Sequence, residues 1–314
     1  MASENSSTPS PWLPWLKLAR ISAAPSAVSN ILAGYLLANS SWFPVTNLFL
    51  LAISSISLYM SGMVLNDLCD IESDRINNPS RPIPSGHISK KQAIMFYGLL
   101  SLIGVATAGI ASFTSLAVAC MLVSMIYMYS SLLKKTVVAP WAMGSCRFLN
   151  ILLGASTSNG FPWPPIQDAE WVVVWIASAL GVFIVGLTLF AQNEVIVHSK
   201  GKLYRSVMLL VCGAFGFITA PWIQIVNKQH ALFDFLAYFA VITLILLIVG
   251  RKVVIAVTFD PNKIRKTVGM LIKSLIFFDA AVCLLAAPYQ FQYFIMTLTL
   301  FIPAFFLSKK IAST

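Results

Sequence analysis

Apolar and polar positions alternate along this chain in long blocks. Apolar runs occupy residues 21–38, 48–65, 93–112, 114–133, 138–155, 171–191, 203–225 and 233–250, and two shorter runs, 275–287 and 291–307, follow. Most approach twenty residues, the length of helix that crosses the hydrocarbon core of a bilayer. Inside lipid each backbone N–H and C=O must be satisfied within its own segment, which selects helices. The pattern predicts an all-α fold, a polytopic membrane bundle of nine or ten transmembrane helices around a central cavity. Lys273 and Asp279 weaken the ninth run, so both counts stand.

The polar links carry the charge unevenly. Lys17 and Arg20 precede the first run, and Arg75, Arg81, Lys90 and Lys91 follow the second. Lys134 and Lys135 follow the fourth; Lys200, Lys202 and Arg205 follow the sixth; Arg251, Lys252, Lys263, Arg265 and Lys266 follow the eighth. All these links share one side, and the opposite side holds only Lys228. Basic loops stay in the cytoplasm, so this side is expected to be cytoplasmic. The net charge of +10 then faces an anionic leaflet and does not call for nucleic acid. Composition agrees: 58% of the 314 residues are hydrophobic and 10% are charged, where a soluble domain has roughly a quarter charged. The cysteines, Cys69, Cys120, Cys146, Cys212 and Cys283, have neither metal spacing nor a disulfide pattern. Residues 1–11 are polar and Ser-rich and read as a disordered tail with no cleavable signal peptide. Residues 12–314, led in by the interfacial Trp12 and Trp15, read as a single transmembrane domain.

One link holds the candidate chemistry. Of eleven acidic residues in the chain, Asp67, Asp70, Glu72 and Asp74 crowd into residues 66–75. Asp67, Asp70 and Asp74 are spaced i, i+3, i+7, which puts them on one helical face, with Glu72 turned away. Three like charges on one face repel unless a cation lies between them. Carboxylates without nearby histidine or cysteine suit a hard cation such as Mg²⁺, which commonly bridges to substrate phosphates. The stretch runs on into Arg81-Pro82-Ile83-Pro84-Ser85-Gly86.

The text Asn66-Asp67-x-x-Asp70-x-x-x-Asp74, followed by Arg81-Pro-Ile-Pro-Ser-Gly, resembles the first signature of the UbiA superfamily of intramembrane prenyltransferases. The resemblance implies that Asp67, Asp70 and Asp74 hold Mg²⁺ and that the metal holds the diphosphate of an isoprenyl donor, with Asn66 and Arg81 beside it. It also implies a bundle of usually nine helices, and a lipophilic acceptor, most often an aromatic ring, within the membrane.

Further residues fit that expectation. Tyr129 and Lys134 resemble the family's Tyr-x-x-x-x-Lys element, whose lysine approaches the diphosphate; an interfacial tyrosine and a positive-inside lysine are the plainer alternative. Arg147 and Asn150, i and i+3 in the fifth run, share a face. An arginine there costs roughly 2.5–3.5 kcal/mol at the bilayer centre, so Arg147 either faces a polar cavity and reaches phosphate or snorkels to the interface. Gly144 and Gly154 let neighbouring helices approach. The family's second aspartate motif is altered: Glu194 and His198 stand where two aspartates are expected, i and i+4 apart so that they can still share one metal or one phosphate, with Lys200 to supply positive charge to the diphosphate. Imidazole is a poor Mg²⁺ ligand, so a second metal loses support, and the resemblance is to a divergent branch such as the EboC-like proteins. Asp279 is either a functional intramembrane acid or a structural one that pairs with Lys273 or caps a broken helix. Two readings follow: Mg²⁺-dependent prenyl transfer, favoured by the intact first motif, or a non-catalytic carrier of a lipophilic precursor, favoured by the altered second one.

Overall fold

The computed structural model describes residues 11–157, 168–192, 200–225, 232–256, 260–287 and 290–312, all of them helical or in short connections. The expected N-terminal tail lies outside the described residues apart from Pro11. A short lead-in helix α1 (Leu13–Leu18) and a 3₁₀ turn (Ile21–Ala23) bring the chain to α2 (Pro25–Asn39). Then come α3 (Val45–Cys69), α4 (Ile71–Asn77), α5 (Lys90–Ala111), α6 (Phe113–Tyr127) with a π-helical extension (Met128–Leu133), and α7 (Ala139–Ala155). The remaining helices are α8 (Asp168–Ala191), α9 (Lys200–Ile225), α10 (Leu232–Ala256), α11 (Pro261–Ala286), α12 (Phe291–Thr299) and α13 (Phe301–Ala312).

Among the described residues nine helices are long and apolar enough to cross a membrane, and the protein is an integral, multi-pass membrane protein. The 17-residue α7 falls just below that length; at 1.5 Å per residue it spans about 25 Å. Counting it gives ten apolar segments, matching the runs read from the sequence. The last segment is interrupted at Leu300. Pro303 has no N–H to give to the Thr299 carbonyl, which accounts for the break.

The helices close into a ring. Helix α2 packs on α3, α7 and α11; α3 packs on α5, α5 on α6, α6 on α7, α7 on α8, α8 on α9, and α10 on α11. Small residues permit the closest crossings, as they do where lipid offers no hydrophobic drive to association. A Cβ on Gly34 of α2 would sit 2.3 Å from the Ile151 carbonyl of α7, and one on Gly154 of α7 would sit 2.6 Å from the Ile31 carbonyl of α2. Gly144 meets the backbone of Gly181 in α8 just as tightly, so both glycines expected to allow close approach do so. Buried hydroxyls add polar contacts: Ser54 Oγ donates to the Gly104 carbonyl at 2.7 Å.

The link after α4 is a folded turn. Ser85 N–H donates to the Arg81 carbonyl at 3.0 Å and Ile88 N–H to the Pro82 carbonyl at 3.0 Å. Gly86 sits at φ 80°, where a side chain would be strained. Ile83 and Ile88 are buried in a small apolar cluster with Leu18, Val64 and Ile71, which seats the Arg-Pro-Ile-Pro-Ser-Gly segment against the membrane end of α3. Ser89 and Gln92 then form a capping box that starts α5.

Candidate active site at the aspartate face

The three aspartates do not lie on one unbroken helix, contrary to the sequence expectation. Helix α3 stops at Cys69, Asp70 adopts φ −95°, ψ 2°, and α4 begins at Ile71. The i→i+4 bonding nevertheless continues: Asp70 N–H donates to the Asn66 carbonyl at 3.1 Å and Asp74 N–H to the Asp70 carbonyl at 2.8 Å. The helical phase therefore survives the bend. Asp67 and Asp74 are both turned inward, with side chains 6% and 5% exposed. Glu72 points outward as expected and pairs with Arg75 at 3.2 Å in solvent.

Each aspartate is met by a cation. Arg81 Nη1 donates to Asp74 Oδ2 at 2.6 Å and to Asp67 Oδ1 at 3.3 Å. Arg20 Nη2 donates to the same Asp67 oxygen at 3.1 Å. Lys134 Nζ donates to Asp70 Oδ2 and, at 2.7 Å, to Asn66 Oδ1. Asn78 Nδ2 fills Asp74 Oδ1 at 3.1 Å. Three carboxylates thus face three long basic side chains, from the turn after α4, the lead-in to α2 and the end of the π-helical extension of α6. Arg20 is the functional candidate that sequence reasoning missed; it read as part of an interfacial lead-in. Tyr129 is within electrostatic reach of both Arg20 and Asp70. The π-helical stretch brings Tyr129 and Lys134 to this face; such irregular turns are frequent at functional sites.

The donor set can be tested against a hard cation. Among the described residues no group of three His, Cys, Asp or Glu side chains gathers as a metal cage. Asp74 has both oxygens engaged. Asp67 Oδ2 and Asp70 Oδ1 carry no hydrogen bond among the described residues. Two carboxylate oxygens of this kind fit Mg²⁺, which takes one or two carboxylates and completes its shell from water and substrate phosphates. A separate hollow of about 410 Å³ is lined by Glu72, Arg75, Ile83 and Lys90 and not by the three aspartates.

A second polar cluster lies within the bundle. Arg147 does not snorkel. Its Nη1 donates to Asn30 Oδ1 at 3.0 Å and to the Ser26 carbonyl at 3.2 Å, and its Nη2 donates to Ser26 Oγ at 3.1 Å. Its guanidinium also lies 5.7 Å from the centre of the Tyr59 ring. Asn150 faces the same way, donating to the Ala27 carbonyl at 2.9 Å and accepting from Ser55 Oγ at 2.7 Å. Asp279 does not pair with Lys273, whose ammonium lies over the Phe305 ring. Its Oδ2 instead accepts from Ser29 Oγ at 2.5 Å and from Asn30 Nδ2 at 2.7 Å. Asn30 and Ser29 were not singled out from the sequence, although two polar residues inside an apolar run were the available signal. Glu194 and His198 lie outside the described residues, as does the side chain of Lys200.

The sequence profile of the UbiA prenyltransferase family matches residues 27–198. Among curated relatives, the digeranylgeranylglyceryl phosphate synthase of Sulfurisphaera tokodaii is 28% identical over 175 residues, 55% of this chain and 60% of the relative. The synthase of the same name from Saccharolobus solfataricus is 27% identical over 197 residues, 63% of this chain and 59% of the relative. The chain thus spans about 60% of the length of these relatives. A solved UbiA homolog from Aeropyrum pernix K1 shares the fold with TM-score 0.65 at 15% identity, covering 82% of this chain and 96% of the other. A homolog from Archaeoglobus fulgidus, solved bound to GPP and Mg²⁺, superposes with TM-score 0.54 at 15% identity, covering 86% and 99%.

Proposed function

Because the chain belongs to the UbiA prenyltransferase family, we propose that it transfers a prenyl group from an isoprenyl diphosphate to a lipophilic acceptor within the membrane. The observation that carries this reading is the aspartate face itself. It combines two unengaged carboxylate oxygens with three basic side chains held on the same carboxylates. Asp67 and Asp70 would hold Mg²⁺ through those oxygens, and Asp74 serves to hold Arg81. When bound, Mg²⁺ neutralises the diphosphate and makes it a better leaving group. Arg20, Arg81 and Lys134 move from carboxylate to diphosphate as the charge on the carboxylates is taken up, and they stabilise the departing anion. An allylic cation needs aromatic faces and little water; Tyr129 beside the aspartate face and Tyr59, whose ring centre lies 5.7 Å from the Arg147 guanidinium, are the aromatic candidates. Tyr59 is itself within electrostatic reach of both Arg20 and Arg147.

The acceptor is a lipophilic nucleophile. The relatives' names favour a hydroxyl of the glyceryl phosphate class over an aromatic ring. The excess of basic residues in the loops on its side supports a cytoplasmic aspartate face. The test uses purified protein in detergent with Mg²⁺ and a panel of prenyl diphosphates, with and without a prenylglyceryl phosphate, following diphosphate release. Release that needs both substrates and falls in Asp67→Asn by more than the roughly 10–100-fold typical of a residue that only supports a metal ligand supports transfer. Diphosphate binding without release under any acceptor supports the carrier reading.

A further inference from the structure

Asp279 stands outside the proposed chemistry, yet it is fully buried in α11, in the membrane part of the bundle. A lone acid there is unfavourable unless it is compensated. Ser29 Oγ and Asn30 Nδ2 both donate to its Oδ2, its Oδ1 has no partner among the described residues, and of the two donors Asn30 leads on to a cation. Asn30 on α2 gives its Nδ2–H to Asp279 and takes the Arg147 N–H on its Oδ1. The direction of this amide is dictated by its neighbours. A guanidinium only donates and a carboxylate oxygen accepts, so an amide between them has one satisfactory orientation. Asn150 Nδ2, at 3.4 Å from the same Oδ1, agrees with that orientation. Helix register is fixed at this level by the Gly34 and Gly154 crossing of α2 and α7. Hydrogen bonds that polarise one another in a low-dielectric interior are strengthened.

The way Arg147 is held leaves part of it open. Both Nη atoms bind Ser26 end-on, and the other Nη1–H binds Asn30. The remaining donors, Nε–H and the second Nη2–H, lie side by side on one edge of the guanidinium. They have no partner among the described residues, and Arg147 is partly exposed. Two parallel N–H groups on one edge match two oxygens of a phosphate or carboxylate.

Resting on the prenyl-transfer reading, we propose that Asp279 is a positioning residue for Arg147. Through Asn30 it fixes the guanidinium so that its Nε–H/Nη2–H edge receives an oxyanion of a bound substrate. That oxyanion belongs either to the prenyl diphosphate or to an anionic acceptor head.

The test is a double-mutant cycle on the full-length protein in detergent. Two affinities are measured: geranyl diphosphate with Mg²⁺, and glycerol phosphate as surrogate for an acceptor head. Arg147→Lys keeps the charge and removes the edge, and a loss of about tenfold is expected for one of the two probes. Asp279→Asn should lose about tenfold on the same probe, and no more than about twofold further in the Arg147→Lys background. Exchanging the pair, Asn30→Asp with Asp279→Asn, keeps the net charge and still gives each contact one donor and one acceptor, with the bond between positions 30 and 279 reversed, and should restore affinity. If Asp279→Asn does not fold, Asn30→Leu severs the same link and enters the same cycle. Coupled loss on either probe supports the proposal and names the anion. Losses that add fully, or no restoration in the exchanged pair, mean that Asp279 is merely structural and overturn it. Geranyl diphosphate binding that ignores Asp67→Asn sinks the prenyl-transfer reading separately, because it is read from a different variant. Wild-type protein that binds neither probe overturns both.

Discussion

Replacing Arg81 by glutamine should push two affinities in opposite directions. Among the described residues Arg81 is the one cation that touches both Asp67 and Asp74, at 3.3 Å and 2.6 Å. Removing it leaves two nearly buried carboxylates sharing Arg20 and Asn78. The face then has one positive charge fewer and a standing demand for another. Two unit charges 4 Å apart interact by about 1 kcal/mol in water and about 4 kcal/mol near a protein surface. The Arg81 side chain is 31% exposed, so the screened half of that range applies, about 2 kcal/mol, or roughly thirtyfold in an equilibrium constant. Mg²⁺ alone should therefore bind Arg81→Gln more tightly than wild type, by roughly thirtyfold. Geranyl diphosphate measured at saturating Mg²⁺ should bind less tightly, because one charge-assisted bond to the diphosphate is lost, at about 1.5–3 kcal/mol. Isothermal titration of the detergent-solubilised protein, first with Mg²⁺ and then with the diphosphate, measures both. The carboxylate-to-diphosphate exchange of the basic side chains is wrong if Mg²⁺ affinity falls or stays level in Arg81→Gln. It is also wrong if diphosphate affinity is unchanged.

Lys134→Met should weaken geranyl diphosphate by about tenfold, through the loss of one charged donor, while Lys135→Met changes it little; equal effects would remove Lys134 from the site. In a metal titration, Asp67→Asn should abolish saturable Mg²⁺ binding and Glu72→Gln should leave it intact; a comparable loss in both would show the inward and outward faces to be wrongly assigned. Gly34→Val should lower the thermal midpoint sharply, because its Cβ would meet the Ile151 carbonyl at 2.3 Å and overpacking costs typically about 1–3 kcal/mol or more. Gly98→Ala, with open space around it, should leave the midpoint unchanged. If both behave alike, the α2–α7 crossing is not close.

The sequence made the helices legible because hydrophobic length is a one-dimensional property. It made the aspartate cluster legible because the residues are neighbours and their phase depends only on local helical geometry. Even there, the bend at Asp70 was not visible, since no Pro or Gly marks it. Inward Asp67 and Asp74 with outward Glu72 followed from spacing alone and hold in the structure. What local pattern does not encode is which remote segment supplies the countercharge. Arg20 reaches Asp67 across 47 positions, Lys134 reaches Asp70 across 64, and Asn30 reaches Asp279 across 249. Those pairings are set by helix crossings such as Gly34 against Ile151, and crossings depend on how the whole ring closes. Asp279 was legible as an anomaly, a charge in an apolar run, and its partner was not.

The two polar clusters differ in construction, and the difference bears on what each can do. At the aspartate face the basic side chains are long and partly wet: Arg20, Arg81 and Lys134 are 42%, 31% and 28% exposed. Such side chains can leave one anion for another at small cost, since ion pairs near solvent contribute little net energy. Asp70, at the bend, is likewise only partly buried. The inner cluster uses short side chains with no exposure: Ser29, Asn30 and Asp279 are each 0% exposed. Breaking any one contact there strands a buried polar group, which costs about 1–3 kcal/mol, and more for a charged one. An exchangeable outer shell suits a diphosphate that must arrive with its metal and later depart. A fixed inner frame suits the proposed guanidinium edge, because it holds the same two donors in one geometry. The aspartate face is therefore where substitutions should alter metal and diphosphate exchange, and the Ser29–Asn30–Asp279 frame is where they should alter geometry.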